Sequence, residues 1–316
     1  MNPFRTFMLV SMALLAAAAL SAAAPASPGP TAFPGAPPPF VTPAGGHSVV
    51  HANVFGGSDT TLYKADGTVF AIQSTNGRGL PLRTEFHLAN NQGVVAYPTY
   101  PASRGTGART VQSRRARPRR RLQSSCGNDA RNPTAQFWNT TIQWYWVSGS
   151  TPSYLDSTNT LTSLRNAHTE WITNDNWCGI ADGAGEVTSY QGTIGSTFGQ
   201  NGLNTVGWGS VNALNSSICP PNTGLIACTI YWYNTSSNVI SEEDTRFDDT
   251  QGMIWYNGSL STRYDVGSVM AHELGHGLGF AHVNDSTNVM YPYASRGDVS
   301  NRHLGRGDAN ENNAKY

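Results

Sequence analysis

The stretch HELGHGLGFAH, residues 272–282, is the most informative part of this 316-residue chain. His272 and His276 are four residues apart, so a helix projects both imidazoles from one face, where they can bind a single metal ion. Glu273 directly follows the first histidine. In the HExxH motif, a glutamate at this position is the general base that takes a proton from water. The stretch therefore predicts a zinc-binding helix that carries its own catalytic base.

Gly279 and His282 extend this prediction. A helix that continued past Gly279 would carry His282 to another face and away from the ion. Glycine adopts the left-handed conformation that ends many helices, so we expect the chain to turn there and His282 to return as the third ligand. Three neutral imidazoles leave one tetrahedral position open for water, which is typical of a catalytic zinc site.

HExxHxxGxxH followed by a methionine turn resembles the metzincin clan of zinc endopeptidases. Within that clan the segment is similar to the matrixins, the matrix metalloproteinase family, whose helix reads HExGHxLGxxH and whose turn reads MYPxY. Here Met290 follows His282 by eight residues, as in the matrixin pattern. The resemblance implies an α+β, zincin-like fold with a twisted mixed sheet, a zinc-binding helix and a small irregular C-terminal subdomain.

The resemblance also assigns roles in the turn. Met290 would form an apolar floor under the three histidines without binding zinc. The wall of the pocket for the side chain after the scissile bond would be formed by Tyr291, Pro292 and Tyr293.

The acidic segment DTRFDD, residues 244–249, resembles the matrixin segment DAHFDD. Arg246 replaces the histidine that would bind a second, structural zinc, so we expect a single catalytic zinc. Hard oxygen ligands suit calcium, and the segment offers them on Asp244, Asp248 and Asp249. A solvated acidic strand end is the alternative interpretation.

The chain has four cysteines, and the N-terminal segment described below predicts that it is exported. Four cysteines in an exported chain favour two disulfides. The spacing does not fix the connectivity, but the short loop CPPNTGLIAC favours Cys219 with Cys228, which leaves Cys126 for Cys178. Cys126 lies in SSCGND, which faintly resembles the matrixin cysteine switch PRCGxPD. It lacks the arginine and proline of that motif, so a disulfide is the favoured interpretation.

The N-terminus has the order of a secretory signal peptide, which we assign to residues 1–24. Arg5 precedes an apolar stretch, residues 7–20, and small residues follow. A signal anchor is the alternative, but the stretch is short for a membrane span. We expect a secreted, extracellular protein without stable membrane insertion after signal removal.

We predict that residues 25–121 are a propeptide, and we call this segment the leader. It consists of a Pro-rich linker, a small β-rich segment from residue 47 to about 100, and the arginine run, residues 114–121. The chain up to residue 121 carries a net charge of +9 and the remainder −9, so the leader can dock on an acidic enzyme. Solvated faces of opposite charge are the alternative interpretation. The run contains RPRR, which an activating protease can cut, although a solvated linker has the same composition. Nucleic acid is not expected, because no aromatic residues are interleaved.

Residues 122–316 are long enough for one catalytic domain. We predict a buried strand over residues 141–147, an amphipathic helix after Asp156, and two strands over residues 228–233 and 237–247. Asp265 is a suitable N-cap for the zinc helix. This order of elements is typical of an α+β fold.

These observations predict a monomeric, secreted zinc endopeptidase made as a zymogen, which acts on protein or peptide substrates. Two alternatives stay open. A zinc amidase acting on cell-wall or small amide substrates would share the chemistry. A non-catalytic extracellular module would use zinc structurally, but it would have no use for Glu273.

Overall fold

The computed structural model describes residues 42–102, 126–195, 198–211, 219, 225–250 and 254–316. The signal peptide, nearly all of the Pro-rich linker and the arginine run lie outside the described residues. Within those ranges, no helix has the length and apolar character needed to cross a membrane.

Eleven strands of the described residues form one sheet in the order β1-β2-β3-β4-β5-β9-β10-β8-β6-β7, and β13 joins the end of β5. β11 and β12 pair separately. The strands are β1 His47–Ala52, β2 Ser58–Tyr63, β3 Val69–Thr75, β4 Pro81–His87, β5 Gln92–Pro101, β6 Ile142–Trp146, β7 Thr188–Thr193, β8 Asn204–Gly209, β9 Ala227–Asn234, β10 Ile240–Asp248, β11 Trp255–Tyr256, β12 Tyr264–Asp265 and β13 Tyr293–Ala294.

The sheet joins two kinds of pairing. β7, β6, β8 and β10 are parallel, and β9 runs antiparallel to β10. β1 to β5 form an antiparallel meander whose last strand pairs antiparallel with β9. We call residues 122–316 the catalytic part. The strands of the leader and those of the catalytic part are therefore hydrogen-bonded into one sheet.

Three helices of the described chain pack around this sheet: α1 Ser157–Ile172, α2 Val266–Gly277 and α3 Arg306–Lys315. Asp156 caps α1 by accepting a hydrogen bond from the Asn159 amide. α1 packs against α2, and the Trp171 indole donates to the Ala271 carbonyl oxygen at 2.8 Å. The predicted helix after Asp156 and the predicted strands at β6, β9 and β10 are confirmed, as is the mixed, α+β architecture.

Apolar side chains fill both faces of the sheet. On one face, Val95 and Tyr97 of β5 join the core that contains α1 and α2. Residues that alternate with them, Val94 and Ala96, point to the other face, where a second core contains residues of the leader and of the catalytic part. Among the described residues, the leader therefore has no core separate from that of the rest of the chain.

Both disulfides follow the predicted pairing. Cys126 bonds to Cys178 and Cys219 bonds to Cys228, with Cα–Cα distances of 5.3 and 6.6 Å. Cys126 is therefore not a free thiol that could cap a metal ion.

Candidate active site

The start of α2 is fixed by Asp265. Its carboxylate accepts hydrogen bonds from the Ser268 amide at 2.8 Å and from two nitrogens of Arg302 at 2.6 and 2.7 Å. A carboxylate at the N-cap satisfies free amides of the first turn and interacts favourably with the helix dipole. All twelve residues of α2 are buried, so the orientation of the helix is also held by packing on every side.

Gly275 and Gly279 are required by geometry. A Cβ atom on Gly275 would lie 2.2 Å from the Met290 sulfur and 2.7 Å from the Trp171 ring. Gly279 has a φ of +82°, and a Cβ atom there would lie 2.4 Å from the Gln136 carbonyl oxygen. The first glycine makes room beside the histidines, and the second turns the chain after α2 as predicted.

The three predicted ligands converge. The Nε2 atom of His276 lies 3.0 Å from Nε2 of His272 and 3.0 Å from Nε2 of His282, and the remaining pair is 3.3 Å apart. Tetrahedral zinc with Zn–N bonds of about 2.0–2.1 Å places its ligand nitrogens roughly 3.3 Å apart. The three histidines therefore fit one zinc ion.

Backbone carbonyls orient two of these imidazoles. Nδ1 of His272 donates to the Val289 carbonyl oxygen at 2.6 Å, and Nδ1 of His276 donates to that of Phe280 at 2.7 Å. These bonds leave Nε2 as the free lone pair that a metal needs. Burial lowers the pKa of His272 to about 4, and burial together with the neighbouring histidines lowers the pKa values of His276 and His282 well below the ordinary value. The imidazoles are neutral, as metal ligands must be.

Glu273 is fully buried beside the triad. Its Oε1 accepts a hydrogen bond from Thr99 Oγ1 at 2.6 Å, and its Oε2 accepts one from Thr229 Oγ1 at 2.7 Å. Burial raises the pKa of Glu273 to about 8. Burial raises the pKa of Glu243 on β10 to about 8, and the nearby charge of Glu273 raises it as well. Sequence reasoning placed none of Thr99, Thr229 and Glu243 in the catalytic site, because no local pattern marks them for it.

The Met290 turn lies directly against α2. Met290 is fully buried, and its sulfur occupies the space beside Gly275. Asp308 holds the turn by accepting hydrogen bonds from the Val289 amide at 2.7 Å and the Met290 amide at 3.3 Å. Met290 thus lies among apolar neighbours, as the resemblance implies for an apolar floor.

A small cavity of about 90 Å³ lies beside His272. Tyr291 and Tyr293 line it together with Val269 and the leader residue Thr99. Pro292 is buried, and its carbonyl oxygen accepts a hydrogen bond from the Tyr100 amide at 3.2 Å. The three residues assigned to the pocket wall are therefore grouped at one side of the histidine triad.

The three aspartates considered for calcium are not brought together as a metal site in the described part of the chain. The carboxylate of Asp244 accepts hydrogen bonds from the amides of Gly199 and Thr205 at 2.6 and 3.0 Å. Asp248 accepts one from the Thr250 amide at 2.7 Å. Asp244 of β10 therefore binds the loop before β8 and β8 itself. Calcium binding stays an untested prediction.

Arg246 also has protein partners. Its guanidinium lies 3.7 Å from the centre of the Phe198 ring and donates to the Ser210 carbonyl oxygen at 3.4 Å. A guanidinium cannot serve as a metal ligand, because it remains protonated and has no free lone pair.

Residues 221–316 match the family model described as matrixin. This segment contains α2, the three histidines, the Met290 turn and α3. The match supports a matrixin-like metzincin catalytic domain that includes this segment. The chain is accordingly a zinc metalloendopeptidase. No curated protein matches the chain significantly.

Proposed function

We propose that this chain is a secreted zinc endopeptidase, made as a zymogen, in which Glu273 is the general base and His272, His276 and His282 hold the zinc. One observation carries the proposal: three buried Nε2 atoms converge within 3.3 Å of one another, and the next residue after His272 is a buried carboxylate.

The chain's own residues supply binding, orientation and proton transfer. When bound, zinc would supply a Lewis acid that activates water and polarises the peptide carbonyl. Glu273 takes the proton from the attacking water on a carboxylate oxygen and passes it to the leaving amine.

An extended peptide would bind along β9, which is one of the two edge strands of the catalytic part of the sheet and the one that packs against α2. Main-chain hydrogen bonds to a strand edge give affinity with little demand on sequence. The cavity beside His272 would receive the side chain after the scissile bond, and its aromatic walls, Tyr291 and Tyr293, favour an apolar side chain.

Export and zymogen formation rest on other features. The signal-like N-terminus and two disulfides suit an oxidising compartment. The arginine run supplies the site for an activating protease, and the opposite charges of the leader and the remaining chain favour their association. N-terminal sequencing of the secreted protein tests both parts, because it locates the signal and leader cuts.

The experiment that tests the enzyme compares the processed parent with Glu273→Ala on casein, gelatin and peptidoglycan. We expect the parent to cleave the proteins, the variant to be inactive, and both to bind one zinc per chain. Activity on peptidoglycan alone would favour the cell-wall amidase. Equal activities of parent and variant would remove Glu273 from the mechanism.

A further inference from the structure

β5 occupies the place where an extended substrate would bind. It pairs with β9 over eight residues, from Gln92 opposite Asn234 to Thr99 opposite Ala227. On its other side, the Tyr100 amide donates to the Pro292 carbonyl oxygen at 3.2 Å and the Ala102 amide donates to that of Ala294 at 2.8 Å. The end of this leader strand is therefore hydrogen-bonded between β9 and the segment that lines the cavity beside His272.

Two side chains of β5 reach the catalytic residues from this position. Thr99 Oγ1 donates to Glu273 Oε1 at 2.6 Å. The Tyr97 ring stacks on the His276 imidazole, with 4.1 Å between centroids and 5° between planes. The carboxylate assigned to proton transfer is thus engaged by the leader, and neither leader side chain is a cysteine.

The leader is held to the catalytic part by a shared apolar core. Leu82, Phe86 and Val94 of the leader are at most 2% exposed, and they belong to the same cluster as Ile230 and Trp232 of β9. Burial of large apolar side chains from both parts favours their association.

Polar contacts add to this core at several points of the interface. Asn76 Nδ2 donates to the Tyr293 hydroxyl at 2.8 Å, and Asn284 Nδ2 donates to the Val54 carbonyl oxygen at 2.9 Å. Gly93 leaves room for the Tyr233 ring, which lies 2.2 Å from the position of a Cβ atom on that glycine.

All of these contacts join residues up to Ala102 with residues from Cys126 onward. The arginine run, residues 114–121, lies between the two sets. A cut in the run therefore breaks the covalent link and leaves every one of these contacts in place.

We propose that the leader stays on β9 and the Tyr293–Ala294 segment after the arginine run is cut, and that it inhibits the protease as a separate polypeptide. Full activity requires a second event that removes or degrades β5. The partner of this surface is the chain's own leader, bound as an added strand with Thr99 on the catalytic carboxylate. This inference rests on the proposed peptidase function.

The test uses the full chain with one engineered protease site in place of residues 114–121. The Glu273→Ala form, which cannot digest itself, is nicked and run on native size exclusion, and hydrogen exchange of β9 amides is measured before and after nicking. We expect the two fragments to co-elute and β9 to stay protected.

The active form of the same chain supplies the second readout. After nicking, we expect its peptidase activity to stay below about one-tenth of its final value at high concentration and to rise on dilution, since a non-covalent inhibitor dissociates by mass action. The uncut chain should show no such dependence on concentration.

Three variants separate strand pairing from general stability. Ala96→Pro removes an amide from the middle of β5 and should release the leader after nicking, with activity at least tenfold higher. Val50→Pro on β1, whose side chain is 59% exposed, is the matched control and should behave like the parent. Thr99→Val keeps the side-chain shape and should weaken inhibition even if Ala96→Pro does not fold.

Separation of the fragments on nicking, together with full activity at all concentrations, would overturn the inference. Co-elution with protected β9 amides, but no proteolysis by any nicked variant, would keep the docking of the leader and instead contradict the proposed peptidase function.

Discussion

Nδ1 of His272 donates to the Val289 carbonyl oxygen across 2.6 Å, so a zinc-ligand candidate is oriented by the turn that carries Met290. The same turn is held by Asp308, whose Oδ2 accepts the Val289 amide at 2.7 Å and the Gly305 amide at 2.8 Å. A residue far along the chain therefore fixes the direction of an imidazole in the active site.

Asp308→Ala tests this connection. The change leaves buried backbone amides without acceptors, which we expect to lower the free energy of unfolding by about 2–3 kcal/mol. Loss of support behind a metal ligand typically lowers metal affinity about 10- to 100-fold. Urea denaturation and competitive zinc titration measure the two effects. Asp182→Ala, on an exposed loop, is the control, and equal zinc affinity of both variants would contradict the prediction.

Glu273→Gln should separate metal binding from turnover. Glutamine keeps the size of the side chain but cannot take up a proton, so we expect turnover to fall by about 10²–10⁴-fold, the usual contribution of a general base. Zinc content, measured by elemental analysis, should stay at one per chain. A variant that lost zinc in parallel with activity would indicate a structural role for Glu273.

Gly275→Ala should destabilise the core beneath the histidines. The new methyl group would overlap the Met290 sulfur and the Trp171 ring, and overpacking of this kind typically costs about 1–3 kcal/mol. Gly149→Ala is a matched control, because no atom lies within 4 Å of its Cβ position, and it should change stability by less than about 0.5 kcal/mol. Thermal unfolding of both variants makes the comparison, and similar melting temperatures would be evidence against tight packing at Met290.

Glu186 should make the fold less stable as pH rises. Burial raises its pKa to about 7, above the ordinary value of 4.5, while its Oε1 accepts a hydrogen bond from Asn312 Nδ2 at 2.7 Å. A carboxyl group with a raised folded-state pKa stabilises the protein below pH 4.5, and this contribution is lost as pH rises to about 7.

Glu186→Gln keeps an acceptor for Asn312 and removes the titration. We expect the variant to be more stable than the parent at pH 8 by about 1 kcal/mol, after allowing for solvent screening of the partly accessible site. The advantage should vanish near pH 4.5, the ordinary pKa of the group. Urea titrations at both pH values provide the measurement, and parallel pH profiles of the two proteins would refute the assignment.

Much of the candidate site could be predicted from sequence because it is local. His272, Glu273, His276 and His282 lie within eleven residues, and helical spacing with one glycine turn determines how their side chains converge. The Met290 turn follows closely enough for a family pattern to include it. The disulfide pairing was also predicted, since one pair closes a short loop.

The sequence could not show where the side chains of the aspartates of β10 lie relative to one another. Asp244 and Asp248 are four residues apart in sequence, but an extended strand separates such residues by roughly 13 Å. Their carboxylates instead accept hydrogen bonds from different segments. Proximity in sequence did not bring the side chains together, because the strand is extended.

The sequence alone predicts a helix with three candidate zinc ligands and a carboxylate beside them, because these depend on the period of one helix and the freedom of one glycine. The tertiary structure was needed to show that β5 pairs with β9 and that Thr99 reaches Glu273, a contact between residues 174 positions apart. The register of that pairing depends on which residues of both strands are buried on each face of the sheet. The spacing of residues within one segment does not predict this register, because the register is set only when distant segments pack together.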